Sequence, residues 1–207
     1  MKINEYLANP CASLSIPYWK NKIITIPPNM KIVHHCDFSE EFLNDYKDEK
    51  YFRLIHDLNN IDDKMIDGFS VKTAESTDIP LIVEIINKCY TDISVSYEQI
   101  LSYTKTKVYD SNLWILVYET QTDNTVGCGI ADFDREVREG ILEWIQVLPE
   151  YRGRKIGQLI VNQLLCRMKN ADFATVSGKI DNQTNPEKLY RKCGFTGNDI
   201  WHILNKK

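Results

Sequence analysis

The sequence predicts an α/β (α+β) chain, and three observations carry the prediction. Apolar residues alternate over 69–74 and fill the short runs 113–119 and 125–133, as strands require. They recur at helical spacing over 78–90 and again at Ile156, Leu159, Ile160, Leu164, Leu165 and Met168. Between a strand at 141–147 and that last helix lies a turn rich in backbone donors, Leu148-Pro149-Glu150-Tyr151-Arg152-Gly153-Arg154-Lys155-Ile156-Gly157. Pro149 cannot donate to a ladder and so marks where the strand stops.

Bulk properties narrow the class. With 207 residues the chain suffices for one good-sized core plus an attached segment. Its 43% hydrophobic content is that of a globular protein, and a formal net charge of −4 supplies no broad basic field for nucleic acid. Cys11, Cys36, Cys89, Cys128, Cys166 and Cys193 show no CxxC pairing, so they read as reduced thiols in the core. The start lacks the apolar run of a signal peptide and no stretch approaches 18 apolar residues, so a cytoplasmic chain with no membrane partner is expected.

Residues 1–66 read as an N-terminal extension or small subdomain of mixed structure, ahead of a domain over 67–207. Pro10, Pro17, Pro27 and Pro28 break residues 9–37 into extended segments and turns. Their apolar residues, among them Tyr18, Trp19, Ile23 and Ile32, need covering. Ser39-Glu40-Glu41-Phe42 has the serine and acidic residues of a helix start, which predicts one or two helices to about Leu58. The polar stretch Asn59 to Asp67 is the expected boundary. The acidic residues near it match no calcium loop, and His34, His35 and Cys36 lack further ligands at suitable spacing, so no metal is expected.

Beyond the boundary the order is strand 69–74, helix 78–90 and a second helix from Ser96 to Thr106. Strands 113–119 and 125–133 follow, joined by the turn chemistry of Gln121 to Asn124. After the strand at 141–147 and the long helix come a short strand at 173–178 and a helix at 186–192. Asn185 is placed to cap that helix and Gly194 to end it. Asn198 to Leu204 closes the sheet. In the opening turn of the long helix, glycines and unpaired N–H groups at a positive helix end point to an anion, most economically a phosphate. No Gly-Lys-Ser/Thr follows, which excludes a Walker A loop.

Residues 147–157, followed by Leu189-Tyr190-Arg191-Lys192-Cys193-Gly194-Phe195, resemble the GCN5-related N-acetyltransferases, the GNAT superfamily, over about residues 69–204. The resemblance implies the acyl-CoA N-acyltransferase (GNAT) fold: a mixed, mostly antiparallel sheet with a splayed parallel strand pair, flanked by helices. It implies acetyl-CoA as cosubstrate and direct acetyl transfer to a primary amine. By this resemblance Arg152 matches the leading Gln/Arg of the pyrophosphate motif and Gly157 its last glycine. Lys155 stands where the central glycine is usual, with helical φ expected for it and its ammonium adding charge. Gly153, Arg154 and Ile156 complete the turn, Val147 and Leu148 offer main-chain groups to the coenzyme arm and the thioester oxygen, and Asn182 or Asn185 touches the coenzyme.

Tyr190 matches the family tyrosine that protonates the departing thiolate, a role suited to a phenol that keeps its proton at neutral pH. Glu143 is the expected base. Alternation places it with Ile141, Ile145 and Val147 on one face, where burial would raise its pKa, unless a bulge changes its face. The acceptor pocket of such a fold falls at Cys89–Tyr97 and at the Asp132–Glu139 connection, with Tyr90, Asp92, Tyr97 and Asp132 as lining. The expected partner is a small-molecule or peptide amine, and a homodimer is a permitted assembly. A non-catalytic acyl-CoA sensor and an interaction protein built around the N-terminal aromatic residues are the other readings.

Overall fold

The computed structural model describes residues 2–9, 26–91, 93–180 and 185–207. Its strands are β1 (Met30–His34), β2 (Tyr46–His56), β3 (Phe69–Thr73), β4 (Trp114–Glu119), β5 (Thr125–Asp134), β6 (Glu139–Val147), β7 (Phe173–Lys179) and β8 (Thr196–Lys206). The helices are α1 (Ile3–Ala8), α2 (Phe42–Asp45), α3 (Ile79–Cys89), α4 (Tyr97–Tyr103), α5 (Ile156–Arg167) and α6 (Pro186–Lys192). All eight strands share one sheet in the order β1-β8-β2-β7-β6-β5-β4-β3.

β3 to β6 pair antiparallel with their neighbours, and α5 then carries the chain across to β7, which pairs parallel with β6. The parallel register runs only from Glu139↔Phe173 to Leu142↔Val176. Past it β6 continues to Val147 and β7 to Lys179, so the two strands part and leave a gap in the sheet. Each face has its own core. Ile156, Leu159, Ile160 and Leu164 of α5 pack on one side with Tyr190 and Phe195, while Ile79, Ile82, Ile85 and Ile86 of α3 pack on the other with Ile100 of α4. Gly129 lets α5 lie close, since a Cβ there would come within 2.5 Å of Ile160 Cγ2.

The helical reading of 39–58 is corrected. Only Phe42–Asp45 is helical, and Tyr46–His56 is a strand flanked by β7 and β8. Helix formers such as Lys47 and Glu49 set a preference of only tenths of a kcal/mol per residue. Phe52-Arg53-Leu54-Ile55-His56 is buried throughout, and ladder pairing along both edges with side chains packed on both faces outweighs that preference. β1 and β2, which precede the expected boundary, thus lie in the same sheet as β3 to β8. β8 does not close the sheet, because β1 lies outside it.

A buried ion pair ties the inserted strand to the gap. Arg53 Nη2 of β2 donates to Glu139 Oε1 of β6 at 2.6 Å, and Thr175 Oγ1 of β7 donates to the same oxygen at 2.5 Å. The arginine and the glutamate are 2% and 0% exposed. Three strands are therefore pinned together where the parallel pair begins.

Candidate active site

Past β6, a single helical turn at Pro149–Tyr151 leads into Arg152 and then to Gly153 at φ 83°. The N–H groups of Gly153, Arg154, Lys155, Ile156 and Gly157 have no acceptor among the described residues. They form a row of donors at the positive end of α5, the arrangement that binds a phosphate. Lys155 adopts the left-handed region at φ 64°, ψ 8°, which corrects the helical φ expected for it. A lysine there is strained by about 1–2 kcal/mol. Chain reversal into the helix requires that conformation, and the surrounding turn enforces it. The Ile156 side chain is buried in the core, so that residue offers the turn its main chain alone. A Cβ on Gly157 would come 3.2 Å from Leu189, so the small residue lets α6 approach α5.

The gap lies beside this turn. Leu148 N–H donates to Val126 O at 2.9 Å, so that N–H belongs to the sheet. Antiparallel pairing alternates the direction of successive main-chain groups, and the Val147 N–H is thereby directed away from β5, into the gap. Arg152 does not extend from the turn. Its Nε donates to Val147 O and its Nη2 to Cys89 O, each at 3.2 Å, which joins the end of β6 to the end of α3. The Cys89 thiol also reaches Val147 O at 3.4 Å. Arg154 lies over the Tyr151 ring and 3.5 Å from Glu119.

Tyr190 faces the core from α6 and is 8% exposed. Burial, with lesser contributions from Tyr90 and Cys193, pushes its phenol above the ordinary tyrosine range. Its ring packs at 6.3 Å from Phe52 and 5.9 Å from Phe195, so β2 forms its floor. The same strand holds the end of α6. A Cβ on Gly194, at φ 92°, would meet His56 Nε2 at 2.8 Å. The His56 Nδ1 accepts the Leu58 N–H at 2.8 Å, and burial holds the imidazole below its usual pKa, against the opposing pull of Asp57 and of the Cys193 main chain.

The other sequence-derived residues divide. Ile130 pairs with Trp144 and Ala131 with Leu142, which leaves Glu143 as the extra residue of a bulge. Strict alternation is thus corrected: Ile145 and Val147 pack with Leu142 on the α5 face, Trp144 and Leu148 pack on the α3 face, and Glu143 is exposed rather than buried. Tyr90 is half-buried at the end of α3, and Tyr97 is 42% exposed on α4. Asp132 is 1% exposed, so its expected place in the lining of an open pocket is corrected. Asn185 caps α6, accepting from Lys188 N–H at 3.4 Å. Asp92 and Asn182 lie outside the described residues.

The sequence reading missed Gln146, whose Nε2 donates to the Tyr90 hydroxyl at 3.0 Å. Its signal was available, since a lone amide stands between Ile145 and Val147 in an apolar strand. It also missed Phe52 and His56, which no local pattern could attach to α6. Among the described residues no group of three or more His, Cys, Asp or Glu could hold a metal ion. No described helix is long and apolar enough to cross a membrane.

A parallel pair that opens beside a row of free amides defines the acyl-CoA-binding fold of the GNAT type. Residues 110–197 match the family of the acetyltransferase (GNAT) domain. Among solved structures, a GCN5-related N-acetyltransferase from Sphaerobacter thermophilus superposes with a TM-score of 0.69 at 19% identity, over 86% of this chain and 58% of that one. This chain thus spans less than two thirds of that protein. Ard1 from Thermoplasma volcanium gives 0.53 at 13% identity, over 67% of this chain and 97% of that one. The ribosomal-protein-S18-alanine N-acetyltransferase from Escherichia coli gives 0.51 at 18% identity, over 66% and 91%. No curated protein sequence matches the chain. The domain match thus covers residues 110–197, and the solved structures show the GNAT fold over most of the chain.

Proposed function

We propose that the chain is an N-acetyltransferase that moves the acetyl group of acetyl-CoA directly to a primary amine. The observation that carries this reading is the row of N–H groups from Gly153 to Gly157 without an acceptor among the described residues, set beside the β6–β7 gap, with Tyr190 in the core on the same side as α5. The donors suit a pyrophosphate, with the Lys155 ammonium adding charge. The gap suits an extended pantetheine arm. Acetyl-CoA supplies the activated acyl group as substrate.

The residues then divide the work. The Val147 N–H, directed into the gap, donates to the thioester oxygen as it gathers charge. Glu143, exposed on the bulge, takes the proton of the attacking amine through water. As the C–N bond forms and the C–S bond breaks, Tyr190 gives its proton to the leaving sulfur. Its raised pKa does not forbid this, because a thiolate released there meets the same desolvation: the Cys193 thiol nearby is pushed up to about 11 by burial.

The test is release of free thiol from acetyl-CoA across polyamines, amino sugars, amino acids and peptides, with coenzyme binding titrated in parallel. A peptide N-terminus belongs in that panel because one structural neighbour is an alanine N-acetyltransferase of a ribosomal protein. Amine-dependent release supports the enzyme. Binding without release for any amine identifies a sensor, and absence of binding removes both readings.

A further inference from the structure

His34 and Cys36, which the coenzyme site leaves unused, form a connected group with Asp199 on the β1–β8 side of the sheet. β1 ends at His34, which pairs with Trp201 of β8, and the chain then makes a single helical turn at His35–Asp37. That turn brings Cys36 back over the ring two residues earlier. Its Sγ lies 2.9 Å from His34 Nδ1, and its main-chain N–H donates to the same nitrogen at 3.3 Å. A main-chain N–H can only donate, so Nδ1 is the bare nitrogen of the neutral ring and the ring hydrogen sits on Nε2. There it is donated to Asp199 Oδ1. Asp199 Oδ2 accepts the Trp201 Nε1–H at 3.3 Å, and the Trp201 ring, 2% exposed, meets the imidazole edge-on at 5.1 Å. Unlike the core thiol of Cys128, Cys36 is exposed.

A thiol, a base within hydrogen-bond reach and a carboxylate that orients the base are the parts of an activated sulfur nucleophile. Desolvation, and after it the Asp37 and Asp199 carboxylates, raise the pKa of this thiol, so the sulfur keeps its proton at neutral pH and needs a base to lose it. His35, the other titratable group of the turn, bonds instead to His202, which in turn bonds to Asp48. The carboxylates beside the sulfur also select what approaches, because they attract a cation and repel an anion. We propose that Cys36 is a site of reversible S-thiolation by small cationic disulfides, with His34 as its base and Asp199 as the residue that positions the base. As Cys36 Sγ attacks one sulfur of the disulfide, its proton passes to His34 Nδ1. The new S–S bond forms as the old one breaks, and the departing thiolate takes the proton from the imidazolium. The Cys36 sulfur is oxidised, the departing sulfur is reduced, and the disulfide is itself the oxidant. The site uses no part of the coenzyme gap, so it stands whether or not the chain transfers acetyl groups.

The full chain is treated at neutral pH with cystamine or with glutathione disulfide, and adducts are counted by intact mass and located by peptide mapping. N-acetylcysteine amide, a neutral free thiol, gives the intrinsic rate ratio of the two reagents. Relative to that ratio Cys36 should prefer cystamine about tenfold at low salt, and the preference should shrink as salt screens the carboxylates. Asp37→Asn should reduce it about threefold. His34→Phe keeps a ring against Trp201, and His34→Gln keeps an acceptor for the Cys36 N–H, but neither carries a base. Each should slow thiolation about tenfold or more at neutral pH. Above the thiol's own ionisation that deficit should close to within about twofold, because the thiolate then forms unaided, whereas a thiol merely displaced or hidden would stay slow. An undiminished rate in both His34 variants, or a deficit that persists at high pH, overturns the inference. So does a Cys36 that follows the reference ratio for the two disulfides, or first labelling at Cys166 or Cys193.

Discussion

The segment from β6 to α6 supplies both strands that part at the gap, and the segment from β1 to β2 backs it from beyond β7. In the first, each structural decision is made by residues close in sequence: Pro149 stops a strand, Gly153 turns the chain, Asn185 caps a helix and Gly194 ends it. In the second, Tyr46–His56 is a strand only because β7 and β8 lie on either side of it. The donors and the phenol come from the locally determined segment, and what holds them apart comes from the other. Arg53 pins the start of the parallel pair, Phe52 lies beneath Tyr190, and His56 backs the end of α6. Site chemistry and site rigidity are therefore written in different parts of the chain.

That division is tested most severely at Arg53. Arg53→Met leaves Glu139 buried without its cation and should cost about 3–5 kcal/mol of stability by urea unfolding. Arg53→Met combined with Glu139→Leu should recover most of the loss, because an apolar pair replaces an ionic one. If the single variant loses less than about 1 kcal/mol, β2 is not the anchor described. Tyr190→Phe works the other way. It keeps the packing on Phe52 and Phe195, so stability should hold while amine-dependent turnover falls about 100-fold at unchanged coenzyme affinity. Unaltered turnover removes Tyr190 from the chemistry.

The same contrast governs what the sequence made legible. Helices over 79–89 and 186–192, the start of a helix at Ser96 and every strand from β3 to β7 were readable, since each rests on a periodicity or a cap within a few residues. The bulge at Glu143 was not, because it is a mismatch between two strands and neither shows it alone. Strict alternation therefore set Leu142 on the face opposite Ile145 and Val147, with which it packs. Asp132 looked like a pocket carboxylate by its position at a strand end, yet β5 carries it into the interior. The place of β2 was least legible of all. Its partners lie more than 100 residues away, at Phe52↔Gly178 and Phe52↔Ile200, and only pairing reveals them.

His56 offers a milder test by pH. Its folded pKa is depressed below 6.5, chiefly by burial, so folding favours the neutral ring. The stability it contributes is full above pH 6.5 and is lost as pH falls through the depressed folded value. Thermal midpoints should fall on acidification from pH 6.5 down to that folded value and fall less in His56→Gln. Turnover should weaken over the same range if this ring steadies the helix of Tyr190. Equal slopes in both proteins would show that other groups carry the acid sensitivity.

The smallest effect expected separates backbone from charge within the locally determined segment. Lys155 at φ 64° combines strain with an ammonium beside the free amides, and substitution uncouples the two. Lys155→Gly relieves the left-handed strain, partly offset by the entropy glycine loses on folding, for a net gain of about 0.5–1 kcal/mol. Lys155→Ala removes the same charge and keeps the strain, so its stability should stay near that of the wild type. Coenzyme affinity should order differently. Both variants should bind a few-fold more weakly than wild type at low salt, and the deficit should shrink as salt screens the ammonium. If Lys155→Gly instead binds as tightly as wild type at low salt, the amides alone hold the phosphates and the lysine is only a tolerated occupant of a glycine's conformation.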